Sequence, residues 1–220
     1  MTKVLLLTKT TDWCNKAAEY LKGCFKDIVI LHGERNDVFP EKAKLWGGDI
    51  IISYLCPWIV PKDILDKATS FVINFHPAPP EYPGIGCYNF AIYDGAGEYG
   101  VTCHHMDAKV DSGKIVAVKN FPLDKADSVK SLKDKSLSYM YDLLVEVIGC
   151  FLKNNKLPES DLFWARKPFT RKQLNELCLI NPSMNTQEIA KRVRATTFPG
   201  APGAYVELAG YKFGYMGETE

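Results

Sequence analysis

Short, unbroken apolar runs that alternate with helix-like stretches constrain this chain more than any other feature. Residues 3–9 (KVLLLTK) set four apolar side chains in a row between polar ends, the mark of a strand buried on both faces. Similar runs recur at 27–31 (DIVIL), 49–55 (DIIISYL) and 70–75 (SFVINF), with further strands expected at 101–106 and 115–121. Between the first two, Thr10-Thr11-Asp12 supplies helix-capping chemistry. Ala17, Ala18, Leu21 and Phe25 then give residues 13–25 one apolar stripe. Shorter helical stretches fit 40–46, 61–68 and 89–93. Strands alternating with helices predict an α/β fold, a Rossmann-like and mostly parallel sheet flanked by helices.

After residue 128 the period changes. Val129, Leu132, Met140, Leu143, Leu144, Val147, Ile148 and Phe151 recur at helical spacing, so 128–153 reads as one long amphipathic helix. Beyond Pro158 the pattern suggests a helix at 185–195 and a hairpin of 205–208 with 211–215 around Ala209-Gly210. The expected organisation is a main domain at 1–158 and a small C-terminal extension at 159–220 carrying that helix and hairpin.

Hydrophobic residues at 46% and charged residues at 24% are those of a globular chain with a sizeable core. Lys and Arg number 27 against 26 Asp and Glu, a net charge of +1. A nucleic-acid binder normally shows a basic excess, so a small-molecule partner is expected instead. The seven cysteines are scattered with no CxxC pair, which argues for reduced thiols and against a structural zinc site. No stretch has the form of a signal peptide or the length of a membrane span, and a cytoplasmic protein is expected.

Gly95-Ala96-Gly97-Glu98-Tyr99-Gly100 satisfies GxGxxG, yet its context is reversed. A dinucleotide loop leaves a strand and opens a helix, so that helix amides face the pyrophosphate. Here a helical stretch precedes the glycines and a strand follows, so the segment reads as a turn.

A stronger constellation begins at Asn74-Phe75-His76-Pro77. Alternate strand residues share a face, which puts Asn74 and His76 together at the carboxyl end of a strand, where open α/β sheets place ligands. Pro77, Pro79, Pro80 and Pro83 stiffen the exit, and Gly84-Ile85-Gly86 permits close backbone approach. Downstream, residues 100–106 (GVTCHHM) end in a turn carrying Asp107 and Asp111. An amide, an imidazole and a carboxylate can thus converge at one rim. That set suits acyl transfer to an amine: Asn74 and a protonated His76 to hold an oxyanion, and the Asp111–His76 neighbourhood to take a proton. The carboxylate is expected to raise the His76 pKa. His104 and His105 are adjacent on a strand and face opposite ways, so at least one is expected to be structural.

At these residues the chain resembles the 10-formyltetrahydrofolate-dependent formyltransferases. Their pattern is Asn-x-His-Pro before a proline-rich loop, Gly-Val-Thr on a strand, then Asp-x-Gly. It is met here by Asn74-Phe75-His76-Pro77, Gly100-Val101-Thr102 and Asp111-Ser112-Gly113. The resemblance covers most of the chain and is strongest between residues 50 and 120. It implies a catalytic trio of Asn74, His76 and Asp111, and it selects Asp111 over Asp107 as the catalytic carboxylate. It also implies 10-formyltetrahydrofolate as co-substrate, docked against Leu55, Trp58 and Ile59 of the 53–65 segment and near Asp107, with no metal. Residues 81–89 (EYPGIGCYN) are similar to the nucleotide-sugar N-formyltransferase branch, which acts on amino-dideoxy sugars of bacterial surface polysaccharides. That points to Tyr82, Gly84 and Asn89 as substrate contacts, to a homodimer, and to a chain too short for the further C-terminal domain of the transfer-RNA enzymes.

The basic stretch 166–172 reads either as a solvated surface or, through Lys167 and Arg171, as a grip on a sugar-nucleotide diphosphate. Trp164, Phe169, Phe198 and Tyr205 either stack on a base or fill the core. Glycinamide ribonucleotide formylation and a silent folate- or nucleotide-binding module are the alternative functions.

Overall fold

The computed structural model describes residues 1–216, so the last four positions of the expected extension lie outside the described residues. β1 (Lys3–Thr8) runs through α1 (Asp12–Cys24) to β2 (Asp27–His32). The chain then passes α2 (Glu41–Leu45), β3 (Gly48–Tyr54), α3 (Lys62–Leu65) and β4 (Ala68–His76). After α4 (Cys87–Asp94), β5 (Glu98–His105) and β6 (Ile115–Pro122) complete a six-stranded sheet in the order β2-β1-β3-β4-β5-β6. All six expected strands are present, shifted by one to three residues at their ends.

Alternation along β1 shows why the sheet is covered on both faces. Val4 and Leu6 join Ala17, Ala18 and Leu21 of α1 in the larger core cluster. Leu5 and Leu7 face the other way, onto Ala43 of α2 and Ile64 of α3. All four β1 side chains are fully buried; each contributes about 1.5–3 kcal/mol relative to exposure. The Thr11 hydroxyl accepts from the Cys14 amide and starts α1 at the expected place.

β2, β1, β3 and β4 are parallel, but β5 runs antiparallel to β4, and β6 antiparallel to β5. The reversal sets His104 directly opposite Asn74 and Thr102 opposite His76. The GxGxxG segment is the turn that its context implied. Gly95 caps α4 in the left-handed region at φ 67°, and β5 begins at Glu98.

α5 (Val129–Asn154) packs its apolar stripe on the sheet, started by a Ser128–Ser131 capping box. α6 (Arg171–Cys178) follows, a helix that sequence reading missed. Few of its residues are apolar, with Leu174 and Leu177 chief among them, so its amphipathic signal is thin. Its capping box of Thr170 with Gln173 was nonetheless present as T-x-x-Q. α7 (Thr186–Thr196) and the hairpin β7 (Tyr205–Leu208) with β8 (Tyr211–Gly214) match expectation. Ala209 and Gly210, at φ 50° and 81°, make its turn. Phe169, Leu177 and Ala195 belong to the same apolar cluster as the sheet, so the C-terminal segment packs onto the main core.

Candidate active site

A cavity of about 750 Å³ opens at the carboxyl ends of β1, β3 and β4, where an α/β sheet places its ligands. One row of polar side chains crosses its floor. Ser53 on β3 pairs with Asn74 on β4, which pairs with His104 on β5. The Ser53 hydroxyl donates to Asn74 Oδ1 at 2.6 Å. Asn74 Nδ2 lies 3.0 Å from His104 Nε2. His104 Nδ1 lies 2.8 Å from its neighbour's carbonyl, the His105 oxygen, and donates there, leaving Nε2 to accept from Asn74. The second N–H of the Asn74 amide has no protein acceptor among the described residues, and Asn74 lines the cavity.

His76 lies two residues further along the same face. Its Nε2 donates to the Tyr82 carbonyl at 3.1 Å, and its Nδ1 stands 3.4 Å from Asp111 Oδ2. Asp111 Oδ1 is 3.4 Å from His104 Nε2, so one carboxylate spans both imidazoles. Asp111 Oδ2 also accepts the Gly84 amide at 2.8 Å. The route to this convergence runs against the expectation of a shared rim. The Met106 amide bonds the Val72 carbonyl, so β5 leaves the sheet well before the end of β4, and the 106–114 loop folds back towards Gly84. Two backbone features make the return possible. Asp111 adopts φ 43°, a left-handed conformation that aspartate tolerates better than most residues. Gly113 packs so tightly on β5 that a Cβ would run into the His105 carbonyl oxygen.

Asp111 is only 7% exposed. Burial works to raise its pKa, but His76, the His104 contact and the Gly84 amide prevail and bring it down to about 2. His76 corrects the earlier expectation. Burial outweighs the pull of Asp111 and of the Tyr82 carbonyl, so its pKa is lowered, not raised. At neutral pH the pair is therefore a neutral imidazole beside a carboxylate. With Nε2 tied to Tyr82, Nδ1 is the free base, and a proton arriving there meets Asp111 at once. A protonated His76 waiting as an oxyanion donor is not the resting form.

Leu55, Trp58, Ile59 and Asp107 all line the cavity, as do Gly84 and Arg171. Ile59 is 80% exposed and, with Ile85 and Val110, forms an apolar rim. Three other expected substrate contacts are placed elsewhere. The Tyr82 ring is buried in a stack with Tyr99 and Phe169, offering the site only its carbonyl. Asn89 donates to the Ala195 carbonyl and ties α4 to α7. Lys167 is exposed and outside the cavity lining. Of the four aromatics left open, Phe169 is buried in the core and also lines the cavity. Trp164 packs against His76 and His104. Phe198 lies under Lys133, and Tyr205 under Lys212.

Sequence reading missed His104, Ser53 and Lys9 as cavity residues. His104 was visible as a histidine on a strand, but only the antiparallel register puts it on Asn74. Among the described residues, no group of three or more His, Cys, Asp or Glu side chains is arranged to hold a metal ion, and no helix is long and apolar enough to cross a membrane.

The family model described as Formyl transferase matches residues 29–148, more than half of the chain. Methionyl-tRNA formyltransferase of Pelobacter propionicus is 28% identical over 182 residues, covering 80% of this chain and 56% of that protein. The same enzyme of Azobacteroides pseudotrichonymphae is 26% identical over 177 residues, covering 77% and 53%. The chain thus spans about half the length of these curated relatives. Among solved structures, a 4-N formyltransferase from Francisella tularensis superposes with a TM-score of 0.79 at 18% identity, covering 99% of this chain and 98% of that one. The N-formyltransferase from Helicobacter canadensis, solved with folinic acid and dTDP-3-aminofucose, gives 0.73 at 22%, covering 96% and 86%. At these identities the structures establish a shared fold.

Proposed function

We propose, starting from the fact that the chain belongs to the formyl transferase family, that it moves a formyl group from 10-formyltetrahydrofolate to the amine of a nucleotide-linked amino-dideoxy sugar, such as dTDP-4-amino-4,6-dideoxyglucose, destined for bacterial surface polysaccharide. The observation that carries the reading is one cavity lined by Asn74, His76 and Asp111 together with apolar side chains and the cations Lys9 and Arg171. Leu55, Trp58 and Ile59 offer apolar lining suited to a pterin ring. Lys9 and Arg171 offer positive charge to an anionic acceptor such as a nucleoside diphosphate. The Helicobacter canadensis protein, of the same fold, was solved with a folate and a nucleotide amino sugar, which favours an acceptor of that class.

The folate supplies a formyl group activated for attack by an amine. The free N–H of Asn74 is a donor available to the oxyanion that forms when that carbonyl is attacked, and Ser53 and His104 hold the amide in place. His76 Nδ1 takes the proton that the amine must lose and can return one to the folate nitrogen as its bond to the formyl carbon breaks and tetrahydrofolate leaves. Asp111, ionised throughout the neutral range, stabilises the resulting imidazolium across 3.4 Å. No side chain need form a covalent bond to the transferred group.

The deciding experiment incubates the protein with 10-formyltetrahydrofolate and a panel of acceptors: nucleotide amino sugars, glycinamide ribonucleotide and methionyl-tRNA. A mass gain of one formyl group on a sugar supports the proposal. Product only with glycinamide ribonucleotide or with the charged tRNA would overturn the sugar reading and leave the chemistry standing. Light scattering tests the accompanying proposal of a homodimer.

A further inference from the structure

Asp111 holds the two imidazoles only loosely. Both imidazoles stand 3.4 Å from Asp111, longer than a firm hydrogen bond, so those contacts alone do not fix the rings. Firm bonds tie His76 to the Tyr82 carbonyl and His104 to the His105 carbonyl and Asn74, and the segment between α5 and α6 packs an aromatic ring against both imidazoles. The Ala165 amide donates to the Pro80 carbonyl, the Phe169 amide to the Pro83 carbonyl, and the Ile85 amide to the Phe169 carbonyl. This strap is thereby laced along the loop that presents Gly84 to Asp111. A Cβ on Gly84 would strike the Phe169 backbone, so strap and loop are packed in contact.

Trp164 sits at the head of the strap and touches three parts of the site. Its indole N–H donates to the Gly113 carbonyl at 2.8 Å. Its ring meets the His104 ring at 5.1 Å and 82°, and the His76 ring at 6.0 Å and 71°, both edge-to-face. Gly113 is pressed on its other side against β5, so the Asp111-Ser112-Gly113 turn is gripped from both directions.

We propose that Trp164 is a positioning residue of the active site: its N–H pins the turn that carries Asp111, and its ring holds His76 and His104 in place and keeps water off them. The titratable groups facing His76 are Asp111 from the loop and His104 from β5, while Cys87 of α4 lines the same cavity. Cys87 is neutral because burial pushes its thiol up to about 11. Arg171 of α6 lines the cavity too but is exposed. The ring of Trp164 is therefore the apolar partner whose loss lets water reach His76, and burial is what depresses that imidazole. The part of this inference that concerns rate rests on the proposed formyl transfer; the part that concerns His76 does not.

The test is an NMR titration of the His76 ring, assigned by its absence in His76→Gln, run beside steady-state kinetics. Trp164→Ala is expected to raise the His76 midpoint by about one pH unit as water enters. It should also lower kcat more than about tenfold, with KM for either substrate changed less than about threefold. Trp164→Phe keeps the ring and loses the N–H: the midpoint should stay at the wild-type value while kcat falls several-fold, about the worth of one hydrogen bond. Trp164→Gln restores a donor without the ring and should raise the midpoint as the alanine variant does, which keeps the comparison decisive even if that variant does not fold. An unchanged midpoint without the ring, or an equal rise in Trp164→Phe, overturns the proposal. If the wild-type protein formylates no acceptor, the proposed function fails, and the titrations still decide the role of Trp164.

Discussion

Replacing Asp111 separates its structural work from the chemical role proposed for it, because the two substitutions that remove its charge differ in what they leave behind. In the folded protein the carboxyl titrates at about 2 against a reference of 3.8, which corresponds to about 2 kcal/mol of stability at neutral pH. Asp111→Ala removes that and leaves the Gly84 amide without its acceptor, a loss of about 1–3 kcal/mol that overlaps the first. Alanine also tolerates φ 43° less well than aspartate. Together these give a destabilisation of about 2–4 kcal/mol. Asp111→Asn keeps an oxygen for Gly84 and a side chain at ease in the left-handed region, so it should lose only the charge-linked share, about 2 kcal/mol at neutral pH, and stay at or above the alanine variant in stability. Its NH₂ would then take the Oδ1 position and face His104 Nε2, and no carboxylate would be left to stabilise an imidazolium at His76, so both variants should lose about 10²- to 10⁴-fold in kcat/KM.

Urea melts of the three proteins and formylation rates measured by mass spectrometry check both halves. The sign with pH is fixed as well. A carboxyl whose folded pKa is depressed contributes fully above 3.8, and that contribution is lost as pH falls towards 2. The stability gap between wild type and Asp111→Ala should therefore narrow over that window. A gap below about 0.5 kcal/mol at pH 7, or more than a tenth of wild-type activity in Asp111→Asn, would refute the bridge that Asp111 is taken to make.

Removing the Asn74 amide with Asn74→Ala should cut kcat about 10²- to 10³-fold, the usual loss of one oxyanion donor, while Ser53→Ala, which only lets the amide swing, should cost about tenfold. On the acid side, activity should fall as His76 takes a proton, with a midpoint below 6.5 in the kcat/KM profile; a midpoint at 7 or above would mean that burial does not dominate that ring. The same group makes stability rise with pH: the unfolded imidazole binds its proton near 6.5 and the folded one only lower, so this contribution is complete above 6.5 and lost as pH falls through the folded value. Gly113→Ala should lower stability by more than about 3 kcal/mol in thermal melts, because the added carbon meets backbone and not a movable side chain.

Much of the fold could be read in the residues because strands such as Val4–Leu7 are apolar on both faces, and only a sheet covered twice accommodates that. Asn74 and His76 were legible for a similarly local reason: two residues apart on one strand, they share a face wherever the strand is placed. Asp111 was reachable only through the family pattern, since its position depends on a turn whose left-handed residue leaves no mark in composition. α6 was missed because α6 is held by its caps and by Leu177 against the core, and not by a continuous apolar stripe. The expected rise in the His76 pKa failed for a different reason. Spacing shows which charge will be near, whereas desolvation depends on tertiary packing, above all on Trp164 and the strap, which close over the ring from far along the chain.

The antiparallel turn of β5 matters most for what it does to Asn74. A buried asparagine in a strand is costly unless its amide is satisfied, and in an all-parallel arrangement no histidine would stand opposite it. With β5 reversed, Ser53, Asn74 and His104 form one row whose hydrogen bonds run in a single direction. That direction is set at its far end. The His105 carbonyl claims the proton on His104 Nδ1, which makes Nε2 an acceptor and obliges Asn74 to present its NH₂, and not its oxygen, on that side. The same NH₂ then has one N–H left over for the cavity. His104 is thus the residue that decides which end of Asn74 faces the cavity. Replacing it with glutamine, which can offer either end, should lower kcat through misoriented amides, whereas His104→Asn, too short to reach, should leave Asn74 free to turn and lose as much activity as Ser53→Ala or more.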